Sequence, residues 1–541
     1  MNSAHVRALV GAVLFLCAGS GMAKEAAPKP EEPAKLREAF FAEQTVHLLD
    51  LSVSEESLSA LAASPQSYVP GELKDGDTVL AKVGVRLKGS TGSFRTLDQK
   101  PGFAIKFDEY VEGQSYRGCK KLLFNNAVQD SSYLSEMLAT GLFRDAGLPA
   151  ARVTHARIRL NGRDLGLYVV VEAMNKDFLK QNFGNAKGNL YEIVAQDING
   201  ALDQDSGEDE SQADMRALQE ACGISDPTER WAQLDKVLDV DRFISFVAME
   251  MLTAHWDGYA SARNNTRIYH DPKTDKIVFI THGLDGTFRR PNFSLHVPLR
   301  SVVVAAVLTT PEGQKLYDER VRKLAKDVFK VPVILERLDK ALAKIRTAGL
   351  ERPELAKIER SIAVAREQIA LRGTRVDEQL KGVKPEGMKF DKVGTAFPQR
   401  WREEYGGNAI LDRVKYDGKK TLHIRAADKS TRASWRAQGF LGPGTYRFEG
   451  SVRTESLVGS ACVRISGNRV NGGQTGDSSW QPMTHVFSVV GEGRDVEFVC
   501  ELYGDQGDVW FDLDSLRVKR IAATQMQEII RQPLLRLPFG Q

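Results

Sequence analysis

Short runs of β-branched and other apolar residues dominate residues 40–191, a pattern that is typical of β-strands. Short β-branched runs of this kind lie at residues 83–87, 103–107 and 167–171. A stretch with helical periodicity, residues 131–146, interrupts them. This part of the chain therefore predicts an α+β fold, with ordered structure beginning near Phe40.

The periodicity becomes helical after an acidic stretch that is predicted to be a loop. Phe243, Val247 and Met251 recur at i, i+4 and i+8, so they share one face of a helix. A β-hairpin is predicted at residues 267–280, and two or three amphipathic helices follow at residues 311–380. Their apolar stripes are expected to pack into the same core.

The last third of the chain returns to short alternating strands separated by Gly, Asn and Asp turns. Many short strands at regular spacing are typical of a β-sandwich, so the chain is predicted to be multidomain. The predicted organisation is a signal peptide at 1–23, a flexible linker at 24–38, an α+β domain at 39–384, an all-β sandwich at 385–520 and a tail at 521–541.

The first residues have the pattern of a secretory signal peptide. Arg7 precedes a short apolar run, and small residues end at Ala23, where cleavage is expected. No stretch reaches the ~20 apolar residues that cross a bilayer. Cys17 raises the question of a lipoprotein anchor, but Leu16 is bulky where lipoprotein processing needs a small residue. We therefore expect a secreted or periplasmic protein without a transmembrane segment.

Composition adds few constraints. The 541 residues exceed the size of a single core, and the net charge of +3 is too small to favour nucleic acid as a partner. Four cysteines remain after the signal peptide, and two of them, Cys462 and Cys500, lie in strand-like runs and are candidates for a disulfide.

The polar residues around the predicted hairpin have the pattern that phosphoryl transfer requires. Asp257 follows the buried helix, Asn264 and Asn265 precede the hairpin, and Asp285 follows it. One Asp near an acceptor hydroxyl, with an Asn and a second Asp holding Mg²⁺, would supply the chemistry. Asp-Gly is also a common turn pair, so spacing alone does not decide. The choice between the two asparagines stays open because neighbours on a strand face opposite ways.

Phosphate binding also needs a cation and an acidic residue that holds it. A Gly/Ser-rich turn at residues 89–93 suits phosphates through its backbone N–H groups, but it lacks the ending of a P-loop. Each lysine nearby, taken alone, is more typical of a solvated strand face. The candidates are Arg86, Lys88, Lys100, Lys106 and, as the acidic partner, Glu136.

Five blocks of sequence follow one another in a specific order, at residues 83–90, 100–107, 142–150, 166–172 and 256–259. In that order they resemble the CotH family, named for a spore-coat protein, over about residues 40–383. The resemblance implies a divergent, atypical protein-kinase-like fold that uses ATP and Mg²⁺, with Mn²⁺ as an alternative. It also implies a Ser hydroxyl of a secreted or surface protein as the phosphate acceptor.

The resemblance also assigns roles to the residues around the hairpin. Asp257 matches the catalytic acid, Asn264 or Asn265 the amide ligand and Asp285 the metal-binding residue. Family members often carry Trp-Asp-Leu-Asp before the last motif, whereas this chain has Gly283 in place of the first carboxylate. A non-catalytic pseudokinase is therefore the alternative to an active enzyme.

In the first half, the resemblance makes Lys106 the cation that contacts the phosphates, with Lys100 as its rival and Arg86 and Lys88 as further candidates. Glu136 would be the ion-pair partner of this lysine. Glu172 would lie where the adenine is held.

The predicted sandwich resembles, more loosely, jelly-roll carbohydrate-binding modules. Exposed indole faces stack on sugar rings, although Trp in a sandwich usually belongs to the core. Of Trp401, Trp435, Trp480 and Trp510, Trp480 lies in the most polar surroundings and is the best exposed candidate.

The leading hypothesis is an exported kinase that its sandwich tethers to a glycan or a surface protein. A non-catalytic adhesion or scaffold protein is the alternative. A third hypothesis, a glycan hydrolase, would need paired carboxylates across a sugar-binding cleft. Asp257 and Asp285 are candidates for such a pair, but no other feature of the sequence supports this hypothesis.

Overall fold

The computed structural model of the protein describes residues 32–90, 92–200, 202–404, 409–426, 431–467, 473–491 and 493–521. The predicted signal peptide, Cys17 and the predicted tail beyond residue 521 lie outside these residues. The end of the predicted flexible linker forms helix α1, Pro33–Ala42, in which Arg37 and Phe40 are buried.

Seven strands form a closed barrel in the order β1-β2-β3-β4-β5-β7-β6. Neighbours are antiparallel except β1 and β6, which are parallel and close the barrel. The predicted strands at 83–87, 103–107 and 167–171 lie within it and are confirmed. The strands are β1 His47–Val53, β2 Val69–Asp75, β3 Thr78–Lys88, β4 Gly102–Lys106, β5 Lys121–Asn125, β6 Val153–Leu160 and β7 Arg163–Glu172.

Three helices accompany the barrel: α2 Glu55–Ala63, α3 Ser135–Asp145 and α4 Lys176–Phe183. Helix α3 packs between the barrel and the helical part of the chain, residues 190–380. Its Leu138, Leu142 and Phe143 belong to the core of the helical part, where Phe143 packs against Phe246 with ring centroids 6.2 Å apart. Helix α3 therefore fixes the barrel against the helical part.

The helical part contains a four-stranded sheet of order β11-β10-β8-β9, which is surrounded by helices. Its strands are β8 Leu190–Ile193, β9 Asp203–Ser206, β10 Thr266–Asp271 and β11 Lys276–Thr281. Its helices are α5 Ala213–Gly223, α6 Pro227–Val237, α7 Val240–Leu252, α8 Tyr259–Ala262, α9 Val302–Leu308, α10 Pro311–Asp327, α11 Val331–Ile345 and α12 Arg352–Leu380.

The patterns that predicted this part are largely confirmed. Asp239 caps α7 by accepting the N–H of Arg242, and Phe243, Val247 and Met251 are buried together on the helix. The predicted hairpin is β10 and β11, and the amphipathic stretch forms three helices, α10 to α12. The acidic stretch predicted as a loop instead contains β9.

Nine strands of the described residues form the β-rich region, residues 395–521, and share one hydrogen-bonded sheet. The sheet encloses a single core that includes Trp435, Phe448 and Phe498. Strand-rich structure is therefore confirmed, while the jelly-roll topology stays a prediction. The strands are β12 Thr395–Ala396, β13 Arg402–Glu404, β14 Ala409–Tyr416, β15 Lys419–Ala426, β16 Thr431–Leu441, β17 Gly444–Ile465, β18 Gln474–Val489, β19 Arg494–Asp512 and β20 Arg517–Ile521.

The expected pairing of Cys462 with Cys500 is wrong. The two cysteines lie on adjacent strands, but Cys462 is opposite Glu501 and Cys500 is opposite Val463. A register offset of one residue sends their side chains to opposite faces of the sheet. Both thiols are accordingly free. In the described part of the chain, no helix is long and apolar enough to cross a membrane.

Arg372 of α12 holds the end of α7 against a segment that comes after the hairpin. Its fully buried guanidinium donates to the carbonyl oxygens of Met251 at 2.7 Å, Pro291 at 2.8 Å and Phe293 at 2.6 Å, and to that of Leu252 at 3.1 Å. Burial lowers its pKa to about 10, so it stays charged at neutral pH. One cation therefore donates to four carbonyl oxygens, of which those of Met251 and Phe293 also accept from the N–H of Ala254 and from Gln379.

We expect Arg372→Met to lower the free energy of unfolding by about 3 kcal/mol or more, because the substitution leaves buried carbonyl oxygens without donors. Urea denaturation of the intact chain measures the change. Arg366→Met is the matched control: Arg366 lies on the same helix in a solvent-exposed ion pair with Asp339, which is worth about 1 kcal/mol at most. Equal midpoints for the two variants would contradict the role of Arg372.

Candidate functional site

Three hydrogen-bonded polar side chains lie at one end of the barrel, where β3 and β5 end. Lys88, the last residue of β3, donates from Nζ to Oδ1 of Asn125, the last residue of β5. Asn125 in turn donates from Nδ2 to Oε2 of Glu136 on α3 at 2.8 Å. The Lys88 ammonium is thus connected to the Glu136 carboxylate through an amide.

Burial shifts the pKa values of Glu136 and Lys88. Glu136 is only 5% exposed, and burial, followed by the charge of Asp285, raises its pKa to about 7. Burial also lowers the pKa of Lys88, while the charges of Glu136 and Asp285 act in the opposite direction. Asp285 lies beyond β11, so side chains of the barrel and of the helical part act on one another here.

Asp257 lies in the turn between α7 and α8. Its Oδ2 accepts a hydrogen bond of 2.9 Å from Nδ2 of Asn265, which also donates to the backbone oxygen of Asp257 at 3.1 Å. Burial raises the pKa of Asp257, and hydrogen bonds from Asn264 and Asn265 oppose that rise. Oδ1 of Asn264 accepts a hydrogen bond of 3.1 Å from the N–H of Ala195, so Asn264 also holds the backbone just after β8.

Glu250 supports the turn of Asp257 from inside the protein. It is fully buried on α7 and accepts the backbone N–H groups of Tyr259 at 2.8 Å and Ala260 at 2.9 Å. Burial raises its pKa to about 8. The sequence analysis missed Glu250 and Asn125. A single acidic residue within the apolar run of α7 was the available signal for Glu250.

Asp285 lies in a short 3-10 turn, Leu284–Gly286, directly after β11. Among the residues that the structure describes, its carboxylate has no hydrogen-bond or ion-pair partner. Burial raises its pKa to about 6, with the nearby charge of Arg289 acting against the rise. An acidic side chain without a partner in such surroundings is suited to binding a cation.

Gly283 occupies the position where the family pattern has a carboxylate. Its backbone is left-handed, with φ of +60°, and a Cβ there would come within 2.6 Å of Oδ1 of Asn265. The side chain of Asn265 therefore fills the space beside Gly283. His282 is engaged elsewhere, since its Nε2 is 3.6 Å from Oε1 of Glu192, whose pKa it lowers to about 2.

The donors at this site suit a hard divalent cation. Asp257, Asp285 and Asn265 offer carboxylate and amide oxygens, which Mg²⁺ and Mn²⁺ prefer. The partnerless carboxylate of Asp285 fits such an ion. Across the described ranges, no group of three or more His, Cys, Asp and Glu side chains is arranged to hold a metal. A metal here would rely on the amide and on phosphate oxygens as well.

Lys106 and Lys100 lie away from this site. Lys106 forms an ion pair of 2.7 Å with Glu109, so the expected pairing of Lys106 with Glu136 is wrong. Lys100 donates to the hydroxyl of Tyr133 at 2.8 Å and to the carbonyl oxygen of Leu167 at 2.7 Å, which makes it a structural contact of the barrel. Lys88, a further candidate from the sequence, occupies the position beside Asn125 and Glu136.

Arg86 and Glu172 also have partners elsewhere. Arg86 donates to Gln66 and lies over the ring of Tyr68. Glu172, at the end of β7, accepts from Nε of Arg152 at 2.9 Å. Both side chains therefore stabilise the barrel, and a role of the Glu172 position in holding adenine stays a prediction.

Three of the four tryptophans in the β-rich region are buried: Trp401, Trp435 and Trp510. Trp480 is partly exposed. Its indole Nε1 donates to Oδ2 of Asp417 at 2.8 Å, and Nζ of Lys419 lies 5.4 Å from the centre of its ring.

Comparison with known families identifies the family of the chain. Residues 85–369, which are more than half of the chain, match the family described as CotH kinase protein, and the chain belongs to this family. The match spans Lys88, Asn125, Glu136, Asp257 and Asp285 and ends within α12.

Two relatives illustrate the range of the family. Inner spore coat protein H of Bacillus subtilis is 19% identical over 278 residues, which cover 47% of this chain and 75% of that protein. Invasin CotH3 of Rhizopus delemar is 28% identical over 181 residues, which cover 30% of each chain. The chain therefore spans less than a third of the invasin.

Carbohydrate-binding modules are among the solved structures that resemble part of the chain. A carbohydrate-binding module, TmCBM61 in complex with β-1,4-galactotriose, covers 25% of this chain and 100% of its own length at 14% identity and a TM-score of 0.19. A family 35 carbohydrate-binding module from Clostridium thermocellum has a TM-score of 0.16 at 16% identity. Scores this low do not establish a shared fold.

Gly283→Ala should cost about 1–2 kcal/mol of stability or more, because the left-handed backbone disfavours a Cβ and Asn265 obstructs it. Gly382→Ala is the matched control, since Gly382 has a φ of +78° and nothing within 4 Å of its Cβ position. The difference between the two urea midpoints isolates the contact with Asn265. If both variants lose the same stability, Asn265 does not fill the space beside Gly283.

Proposed function

We propose that the protein is an exported kinase of the CotH type, which transfers the γ-phosphate of ATP to a Ser hydroxyl of a secreted or surface protein. The observation that carries the proposal is the meeting of Lys88, Asn125 and Glu136 from one side with Asp285 from the other. Membership of the CotH family and the partnerless carboxylate of Asp285 support it.

Lys88 is the residue that contacts the phosphates of ATP. Its ammonium is partly buried and is held by Asn125, which fixes its position through Glu136. Phosphoryl transfer depends chiefly on such positioning and on electrostatic stabilisation of the transferred group. In this proposal, Asn125 replaces a direct contact between the lysine and the glutamate.

Asp257 accepts the proton of the Ser hydroxyl. Its carboxylate is oriented by Asn265, and its turn is held by Glu250 through two backbone N–H groups. A raised pKa brings Asp257 closer to neutral pH, which favours a general base. Precise orientation of this carboxylate is what the surrounding hydrogen bonds supply.

Asp285 and Asn265 are the residues that would hold Mg²⁺ or Mn²⁺. A bound divalent cation would neutralise phosphate charge during transfer. Because Gly283 provides no second carboxylate, this site should bind the metal more weakly than one with two, and the metal should bind together with ATP.

Thermal unfolding of the full chain with and without Mg-ATP tests the proposal. A ligand at ~100 times its dissociation constant that binds only the native state should add about 2.7 kcal/mol of stability. We expect Lys88→Met and Asp285→Asn to lose this stabilisation. Without ligand, Asp285→Asn should be at least as stable as the wild type, because the carboxylate that it removes has no partner.

Two further variants complete this test. Asp257→Asn should keep the stabilisation by Mg-ATP but lose transfer of labelled phosphate to protein by about 10²-fold or more. Lys106→Met is the control for Lys88→Met and should behave as the wild type, since the Lys106 ammonium forms its ion pair with Glu109, away from the site. A wild type that millimolar Mg-ATP does not stabilise would contradict the kinase and favour the non-catalytic surface protein.

In the same proposal, the β-rich region binds a glycan or another surface ligand through Trp480. This is the one tryptophan of the four that keeps part of its indole exposed. Asp417 and Lys419 beside it offer an acceptor and a donor for sugar hydroxyls, an arrangement that suits a small polar ligand.

Affinity electrophoresis of the full chain through gels that contain neutral or acidic polysaccharides tests the glycan role. We expect at least one polysaccharide to retard the wild type and Trp480→Ala to abolish the retardation. Tyr503→Ala is the control, because Tyr503 is an aromatic residue of the same region that is 54% exposed. Equal mobility of the wild type in every gel would contradict glycan binding.

A further inference from the structure

The segment from Thr287 to Phe293 comes after Asp285 and passes between the barrel, the helical part and the β-rich region. Its start is fixed within the helical part. Thr287 donates to the carbonyl oxygen of Leu284 at 2.8 Å, and Phe288 donates from its N–H to the carbonyl oxygen of Thr253 at 2.8 Å. Asp285 therefore lies at the beginning of a segment whose path is defined by contacts on several sides.

The second half of this segment is held by the β-rich region. Gln438 of β16 donates from Nε2 to the carbonyl oxygen of Arg289 at 2.6 Å. Asp495 of β19 accepts two hydrogen bonds of 2.7 Å from Asn292, one from its backbone N–H and one from its Nδ2. Two strands outside the matched family region thus bind two residues of the segment.

Arg290, between these two residues, connects the segment to Asp257. Its guanidinium lies 4.2 Å from the ring centre of Trp256, the residue directly before Asp257. The other neighbour of Trp256 is Gly286, whose Cβ position would lie 3.0 Å from the indole Nε1. Trp256 is therefore packed against the residue after Asp285 and against Arg290, so the segment contacts the residue directly before Asp257.

Arg289 gives the β-rich region a second route to Asp285. Its guanidinium is 3.6 Å from Oδ1 of Asp130 and acts on the nearby carboxylate of Asp285. Its backbone is the one that Gln438 holds. Gln438 thus holds the backbone of a residue whose guanidinium is bound by Asp130 and by the carbonyl oxygen of Gln129.

The contact between the β-rich region and the rest of the chain has further support. Ser131, just before α3, donates to Oε1 of Glu404 at 3.0 Å, and Arg360 of α12 lies 3.9 Å from Glu403. Both acidic residues belong to β13. The β-rich region is thus fixed to the elements that carry Glu136 and Arg372, and it does not depend on the Asn292 contact alone to stay in place.

We infer that the β-rich region contributes to the phosphate-transfer site. Its Asp495 and Gln438 act as positioning residues for Asp285 and Asp257. The inference rests on the proposed function for its catalytic consequence. It extends that function, because a tether for a glycan would need no contact with the segment after Asp285. Loss of the Asp495 contact should loosen the turn of Asp257 and weaken metal binding while the β-rich region remains folded.

The first measurement uses the full chain without ligand. We expect Asp495→Ala to raise hydrogen exchange in residues 255–260 and 286–293, because these residues lose their support from β19. Asp508→Ala is the matched control: Asp508 lies on the same strand and pairs with His423 and Arg425. If Asp495→Ala does not change hydrogen exchange in residues 255–260, the inference is overturned. This outcome does not depend on whether the protein binds ATP.

The second measurement is the Mg²⁺ concentration that gives half of the ATP-dependent thermal stabilisation, read relative to each variant without ligand. Residues that support a metal ligand typically change metal affinity by about 10–100-fold, so Asp495→Ala should raise this concentration at least about ten-fold. Asp508→Ala should not. If Asp495→Ala needs the same Mg²⁺ concentration as the wild type, the inference is overturned. If ATP does not shift the unfolding temperature of the wild type at all, the proposed function is overturned, and with it the catalytic consequence.

An exchange of the two partners provides the rescue. The double variant with Asn292→Asp and Asp495→Asn can form the same pair, with the new amide accepting the N–H of residue 292 and donating to its carboxylate. We expect it to restore the Mg²⁺ dependence and the exchange pattern, whereas Asn292→Asp alone places two carboxylates together and should not. Failure of the double variant, when its unliganded stability equals that of the wild type, would overturn the inference.

Discussion

Burial of charge where the barrel meets the helical part is the constraint on which the arrangement of this protein depends. Glu136 is buried and Lys88 and Asp285 are partly buried, and ionised side chains in such surroundings destabilise a fold unless they are paired. Asn125 bridges Lys88 and Glu136, whereas in the described part of the chain the Asp285 carboxylate has no hydrogen-bond or ion-pair partner, and only the nearby charges of Arg289 and Lys88 favour its ionised form. Such a carboxylate lowers the stability of the unliganded protein, and binding of a cation can offset this loss.

The elements around these charges hold them from outside the site. Glu250 holds the turn of Asp257 through two backbone N–H groups, and Arg372 holds four carbonyl oxygens at the end of α7 and in the segment after Asp285. Both residues are ionisable, fully buried and bonded to backbone rather than to each other. The precision of the site therefore comes from backbone contacts, which a helix or a hairpin by itself could not provide.

The sequence indicated those candidate residues of the site that lie close together along the chain. Asp257, the neighbours Asn264 and Asn265, and Asp285 flank one hairpin, so a local pattern groups them, but only the structure shows that Asn265 binds the Asp257 carboxylate. Lys88 was harder to choose over Lys106, because these residues lie at opposite ends of the β3–β4 ladder, opposite Gly102 and Gly84 respectively. Only the long-range closure of the barrel decides which end meets the helical part. The disulfide prediction failed for a related reason, since a register offset of one residue is not visible in the strand pattern.

The close contact between Gly283 and Asn265 makes these two positions interdependent. A carboxylate at position 283 needs a left-handed backbone that tolerates a side chain, and it needs the volume that Asn265 now fills. Any single replacement at position 283 therefore meets the asparagine before it can reach a metal. In evolutionary terms, the two positions constrain each other: room for a second carboxylate at position 283 requires a change at residue 265, which gives up the hydrogen bond that orients Asp257.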